Sequence, residues 1–252
     1  GALAYDADAL REGAELVVDF LLGEVPLEAL RANLGFRLVA LRKPSGGVRP
    51  VAMGCVLRRL ASRAACAVVK NDVCSAVGPH QYGVGRKAGC ELVHKSVTAL
   101  TDRDASRVVI AFDATNAFGT LPRQHVWDGV CARLPDLAPV VQAWLGNRTT
   151  HCMWDDRGRA HAVQTSAGVD QGCPLSPLLC ALGLADALDT MHSRLQALDS
   201  ACRVFAYLDD VVVVAPQGVA EQAARVVEEV LRARGLSVND KTKAWSIGTL
   251  RL

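Results

Sequence analysis

Aromatic side chains are scarce in this sequence, at 5% of its 252 residues. A core with so few large rings must rest on aliphatic packing, and with half of the residues apolar there is enough of it for one large domain or two interleaved subdomains. No run of about eighteen apolar residues occurs, because the most apolar stretch, Pro174 to Leu188, is interrupted by Asp186. The first residues also lack the basic, apolar and small-residue succession of a signal peptide. A soluble, intracellular protein with no membrane partner is expected. The nine cysteines are odd in number, scattered, never spaced Cys-x-x-Cys and not joined to a close histidine motif, so they read as reduced thiols. Internal repeats and low-complexity linkers are missing too.

Net charge is nearly absent, at +2, but the average hides a segregation. Between Arg31 and Lys95 twelve Lys and Arg stand against only Asp72 and Glu91, a local net of +10 that leaves −8 for the rest. A basic stretch followed by an acidic one suits a protein that grips a phosphate backbone with one part and binds metal ions with another. A solvated, arginine-rich helical face accounts for the charge equally well.

Apolar spacing predicts two short helices within residues 6–34, interrupted by Pro26, and a strand over Phe36 to Arg42. Lys43-Pro44-Ser45-Gly46-Gly47-Val48-Arg49 reads as a hairpin turn whose arms carry Lys43 and Arg49. Helical spacing returns over 55–77, then again from a glycine-punctuated loop at Gln81 to Arg86 through Leu100. From Arg107 strands and helices alternate: a strand to Phe112, helices near 123–134 and 139–146, and a hairpin turning at Asp156-Arg157-Gly158. A long helix follows from Pro177 to Leu198, then a hairpin at 203–215, a helix at 219–234 and strands at 236–239 and 243–247. Antiparallel hairpins among helices indicate an α+β layered domain and argue against a doubly wound parallel sheet.

Two adjacent acids, Asp209 and Asp210, lie between runs that read as buried strands, Phe205 to Leu208 and Val211 to Val214. Burying an unpaired carboxylate costs several kcal/mol or neutralises it, and neighbouring acids add repulsion. A tight turn would bring both to a hairpin tip, with Asp209 aimed at the site and Asp210 more peripheral. The strand ending at Phe112 delivers a third acid, Asp113. Carboxylates without a nearby histidine select a hard cation, Mg²⁺ or Mn²⁺. Two such ions, about 3.5–4 Å apart, suit an in-line displacement at phosphorus. Taken alone, Asp209-Asp210 is also an ordinary hairpin turn.

Three segments then resemble the reverse transcriptase family in order and separation. Phe112-Asp113-Ala114-Thr115-Asn116-Ala117-Phe118 is similar to its first catalytic motif, Gly168-Val169-Asp170-Gln171-Gly172-Cys173-Pro174-Leu175-Ser176-Pro177 to its Gln-Gly-x-Pro-Leu-Ser-Pro motif, and Tyr207-Leu208-Asp209-Asp210 to its Tyr-x-Asp-Asp. Arg49-Pro50-Val51, Leu57-Arg58-Arg59-Leu60 and Gln81-Tyr82-Gly83 match its fingers motifs. Gly235 to Lys243 resembles its Asn…Lys-Thr segment. The likeness runs from about 36 to 247 and is nearest in wording to retrotransposons without long terminal repeats.

The resemblance implies the fingers and palm of a right-hand polymerase, the palm an antiparallel sheet packed on helices; no thumb is expected, because the sequence stops soon after the Lys241 motif. It puts an N-terminal helical extension at 1–35, fingers at 36–106 and palm at 107–252, with 119–165 partly returning to the fingers. It implies catalytic and metal-binding roles for Asp113, Asp209 and Asp210, with two Mg²⁺ or Mn²⁺ ions. Nucleotide contacts fall on Lys43, Arg49, Ala114, Phe118, Gln171, Gly172 and Lys241, and primer or template contacts on Tyr207, Pro174, Arg58 and Arg59. Lys43 and Arg49 are also plain turn cations, Phe118 a plain core aromatic, and Lys241 an exposed turn lysine. The implied partners are an RNA template, a DNA or RNA primer, deoxynucleotides and the remainder of a larger retroelement polyprotein, nuclear if the host is a eukaryote.

Three departures stand out. Asp170 adds a negative charge beside Gln171, Leu208 replaces an alanine, and the Asn239–Lys241 interval is one residue short. The alternatives are a catalytically silent polymerase-like RNA-binding scaffold and a viral RNA-dependent RNA polymerase. The latter usually carries a second aspartate where Phe118 stands and a glycine before the paired acids.

Overall fold

The computed structural model describes residues 6–44 and 46–246. By their contacts the residues group into two compact units. One gathers Gly1–Val69, Pro135–Ser166 and Asp170–Ser176; the other gathers Lys70–Leu134, Ala167–Val169 and Pro177–Leu252.

In the first unit, helix α1 (Ala7–Leu22) begins where the Asp6 carboxylate accepts from the amides of Asp8 and Ala9, and ends at Gly23 in the left-handed region. Pro26 then leads into α2 (Leu27–Leu34). Strands β1 (Phe36–Arg42) and β2 (Val48–Gly54) form the expected hairpin, with Leu41 opposite Arg49. The predicted helix over 55–77 is instead two, α3 (Val56–Val68) in this unit and α4 (Val73–Ala76), which belongs to the second. The break falls at Lys70-Asn71-Asp72, where Asn and Asp are poor helix formers. Helix α8 (Ala138–Leu145) and the hairpin β4 (Thr149–Trp154) and β5 (Ala160–Thr165) complete a four-stranded sheet in the order β2-β1-β4-β5. Its core joins Phe20, Phe36 and Trp144, and the Trp144 indole donates to the Phe20 carbonyl at 3.2 Å.

The second unit is a sheet covered by helices. Strand β3 (Val108–Phe112), almost wholly buried, runs antiparallel between β7 (Asp210–Ala215) and β8 (Lys243–Ser246), and β6 (Arg203–Tyr207) pairs with β7. A run of Val, Ile and Phe with no polar alternation is what a strand covered on both faces requires. Helix α5 (Gly89–Arg103) packs on β6, where Val93, Val97 and Leu100 meet Val109, Phe205 and Val214. Helix α10 (Ala220–Ala233) packs on β7. Two shorter helices, α6 (Ala117–Thr120) and α7 (Arg123–Arg133), precede α9 (Ser176–Leu198), which is buried along most of its length. Asp186, the acid that interrupts the apolar run, accepts two hydrogen bonds from Arg133, which also pairs with Asp189.

The expected α+β class is borne out, with an antiparallel sheet packed on helices. The predicted strand at 236–239 shrinks to a single bridge between Val238 and Ala114 just past the end of β3, made by Thr115 N–H to Ser237 O at 2.7 Å and Asn239 N–H to Asp113 O at 3.0 Å. The last predicted strand ends at Ser246, and residue 247 lies outside the described residues.

Candidate active site

The acids meet where two strands of the second unit finish. β3 and β7 are in register up to Phe112 opposite Val211, so the next step along the ladder sets Asp113 beside Asp210. Asp210 also faces Tyr207 across the β6–β7 hairpin, which leaves Leu208 and Asp209 as its two-residue turn. Asp210 is open to solvent, yet enough protein surrounds its carboxyl for burial to raise its pKa, and the charges of Asp209 and Asp113 push the same way.

Asp113 is held on three sides. The Asn239 side chain donates to its Oδ2 at 2.9 Å, its carbonyl accepts from the Asn239 amide at 3.0 Å, and its own amide donates to Thr242 Oγ1 at 3.4 Å. The sequence put Asn239 in a motif but gave it no role; its partner lies 126 positions away. Lys241 is exposed on the same turn, its amide bound to Asn239 Oδ1 at 2.8 Å, so the short interval still forms a regular side-chain-capped turn. Cys180 on α9, fully buried, feels the charge of Asp209, and burial first and that charge second push its thiol up to about 12.

Among the described residues no group of three His, Cys, Asp or Glu forms a ready metal cage, so Asp113, Asp209 and Asp210 are electrostatically coupled without being drawn into one coordination sphere. Their chemistry nonetheless fits a hard divalent cation. The donors are oxygens only, Asp210 is burdened by two like charges, and among the described residues neither Asp113 nor Asp210 makes an ion pair.

Close by in the second unit, Ala114 is buried at its bridge to Val238, and Phe118 on α6 is only 9% exposed. The Phe118 carbonyl accepts from the Val169 amide at 2.7 Å, so the Gly168-Val169 step supports the turn that carries the ring. Tyr207 is exposed.

The other expected contacts lie in the first unit. Lys43 is half-buried and Arg49 exposed at the β1–β2 turn, which closes through Lys43 N–H to Gly47 O at 3.1 Å and Gly46 N–H to Lys43 O at 3.0 Å. The Gln171 carbonyl accepts from the Ala52 amide at 2.6 Å, laying Gln171-Gly172 along the open edge of β2. Gly172 has φ +117, and a Cβ there would sit 2.4 Å from the Ala52 carbonyl oxygen, so this approach requires glycine. Pro174 is half-buried, its carbonyl facing the Cys66 thiol at 3.7 Å. Arg59 is exposed, whereas Arg58 is buried, its guanidinium 4.4 Å from the ring centres of both Phe36 and Trp144. There Arg58 is a core residue, its pKa lowered by burial.

Asp170 does not project its charge freely. His151, itself buried, accepts the Phe36 amide at Nδ1, so its proton is on Nε2, which donates to Asp170 Oδ1 at 2.8 Å. Nothing in the local sequence of either residue announces this pairing.

An antiparallel sheet with acids at the ends of adjacent strands and a Tyr-x-Asp-Asp turn defines the palm of a nucleic-acid polymerase. Residues 41–247 match the family described as reverse transcriptase (RNA-dependent DNA polymerase), and the chain belongs to that family. It is 28% identical over 249 residues, 97% of its length, to the retrotransposable element SLACS 132 kDa protein of Trypanosoma brucei gambiense, of which it spans 20%. Apo telomerase from Candida tropicalis has the same fold, with a TM-score of 0.64 at 10% identity over 96% of this chain and 49% of that one. Telomerase from Candida albicans in complex with a fragment of telomeric RNA gives 0.62 at 13% identity, over 90% and 44%. The reverse transcriptase likeness read from the motifs agrees with the family, and the retrotransposon likeness agrees with the name of the curated relative, a retrotransposable element protein. Among the described residues no helix is long and apolar enough to cross a membrane.

Proposed function

We propose that this chain supplies the fingers and palm of an enzyme that copies RNA into DNA by two-metal nucleotidyl transfer, as part of a larger retroelement protein. The observation that carries the reading is the coupling of Asp113, Asp209 and Asp210 at the ends of paired strands. We assign fingers to 36–106 and palm to 107–252, with 119–165 partly returning to the fingers; the grouping of residues 135–166 with the first strands supports that return, whereas residues 70–134 group with the second unit.

Mg²⁺ or Mn²⁺, when bound, activates the primer 3′-hydroxyl and neutralises charge on the phosphates. Asp113 and Asp209 are the principal ligands and Asp210 the flanking acid. Asn239 keeps the Asp113 carboxylate turned to its task. Lys43 and Arg49 receive the triphosphate, Arg49 through its forked guanidinium and Lys43 as a point charge. The main chain at Gly172 and the amide of Gln171 line the nucleotide's path, Ala114 and Phe118 lie under its sugar, and Phe118 disfavours a 2′-hydroxyl. Lys241 stabilises the departing pyrophosphate. Tyr207 and Pro174 support the primer end. Arg59, and not the buried Arg58, contacts the template. The partners are an RNA template, a DNA or RNA primer and deoxynucleotides, and the setting is intracellular, nuclear in a eukaryotic host.

Primer extension on an RNA template with Mg²⁺ tests the reading. Asp209→Asn is expected to cut the rate by roughly a thousandfold, about 4 kcal/mol of transition-state stabilisation. Undiminished extension by that variant overturns it.

A further inference from the structure

Leu208 has φ +57, in the left-handed region that a branched side chain rarely occupies, and the next residue is Asp209. With positive φ at only the first of its two central residues, the turn has the signature of type II′, where glycine is the usual occupant. The local sequence does not select this conformation, so something else must hold it.

One buried amide does so. Gln81 is 0% exposed. Its Oε1 accepts from the Leu208 amide at 2.8 Å, and its Nε2 donates to the Leu208 carbonyl at 3.1 Å. Both main-chain groups of the residue before Asp209 are thus bound by a side chain 127 positions away. Oε1 also accepts from the Gly83 amide at 2.8 Å, and two N–H donors on that atom fix which end of the amide is oxygen.

The clamp is itself anchored. Tyr82 N–H donates to Ala206 O at 2.7 Å and Ala206 N–H to His80 O at 2.8 Å, so this segment covers the open edge of β6. The Arg86 Nε donates to the Gln81 carbonyl at 3.1 Å, and the Arg86 guanidinium lies 5.0 Å from the Tyr82 ring centre. At Gly83 a Cβ would stand 2.5 Å from the Leu208 nitrogen, so the loop passes too close to the turn for any other residue.

We propose that Gln81 is a positioning residue for the catalytic turn: by binding both main-chain groups of Leu208 it imposes the left-handed conformation that aims Asp209 and Asp210. Were Leu208 to relax to negative φ, the peptide leading into Asp209 would rotate and its carboxylate would leave the Asp113 side of the sheet. Gln81 contacts no reacting atom and acts through the turn. The functional consequence rests on the polymerase reading above; the conformational claim does not.

The test compares the full chain with Gln81→Met, which keeps the volume and removes the hydrogen bonds. Amide hydrogen exchange is read at Leu208, with Val211 and Val213 as references, together with Mn²⁺ binding and the kinetics of primer extension. Gln81→Met is expected to speed Leu208 exchange at least tenfold with the references unchanged. It should also weaken Mn²⁺ binding and lower kcat tenfold or more while KM for the nucleotide stays within about twofold. Leu208→Gly, which removes the strain at that position, should recover at least threefold of the lost kcat in the Gln81→Met background.

Unchanged Leu208 exchange overturns the proposal. So does faster exchange spread through β6 and β7, which makes Gln81 a residue of the fold alone, and so does faster Leu208 exchange with Mn²⁺ binding and kcat intact. If the unsubstituted chain extends no primer, the polymerase reading is what fails, and Leu208 exchange with Mn²⁺ binding still decides the positioning claim.

Discussion

Two hairpin turns in this molecule carry charge of opposite sign, and they are held in opposite ways. The turn between β1 and β2, flanked by Lys43 and Arg49, reaches positive φ at Gly46 and Gly47, where no Cβ opposes it, and closes through its own main chain. The turn between β6 and β7, carrying Asp209 and Asp210, reaches positive φ at a leucine and is bound by the side chain of Gln81. The first conformation is written in its own sequence; the second is imposed from a distant one. If Lys43 and Arg49 receive phosphates as proposed, the reach of their long side chains would absorb small errors in an independent support. Carboxylates on short side chains that share ions, as proposed for Asp113, Asp209 and Asp210, would not tolerate such errors, because a misplacement of about 1 Å is costly at a reacting centre.

The comparison can be sharpened by removing supports one at a time. The largest effect is expected from Asn239→Ala, which frees the Asp113 carboxylate from its amide partner without touching an acid. Loss of such an outer partner costs about 10–100-fold in metal affinity or activity, read as a higher Mg²⁺ requirement in primer extension. A smaller effect is expected from Arg49→Ala, on the exposed arm of the glycine turn. It should raise KM for the nucleotide about tenfold, near 1.4 kcal/mol, with kcat little changed. A kcat loss as large as that of Asn239→Ala would erase the distinction between the two turns.

The smallest effect concerns a third turn, between β4 and β5. There Asp155 accepts from the Arg159 and Arg157 amides and is paired with Arg159 and His161, which lower its pKa to about 2. Because the folded value lies below the ordinary 3.8, this cap is present above pH 3.8 and is lost as pH falls through about 2. A carboxyl titration of Asp155 by NMR should give that midpoint; one near 3.8 would show that the turn stands without its cap.

What could be read from the sequence follows the same division. The strand ending at Phe112 just before Asp113, the hairpin around Asp209-Asp210 and the glycine turn with Lys43 and Arg49 depend on neighbours in the chain, and each was legible from spacing and turn chemistry. The helix Ser176–Leu198 was legible too, because an apolar run of that length has few other outcomes. Contacts between distant positions were not legible. Asn239 on Asp113, Gln81 on Leu208 and His151 on Asp170 are single polar residues whose partners no local pattern reveals. Arg58 misled for a related reason, since a basic pair in a fingers motif reads as a template contact until Phe36 and Trp144 close over it. The helix break at Lys70-Asn71-Asp72 was obscured by apolar residues that keep helical spacing on both sides.

Asp113, Asp209 and Asp210 are proposed to hold divalent cations together, and binding of Mn²⁺ to the full chain, followed by its paramagnetic effect on water relaxation, tests this without recourse to polymerisation. Asp113→Asn and Asp209→Asn should each abolish tight binding, while Asp170→Asn, whose carboxylate is engaged by His151, should leave it intact. Equal Mn²⁺ binding by all three variants and the unsubstituted chain would contradict it.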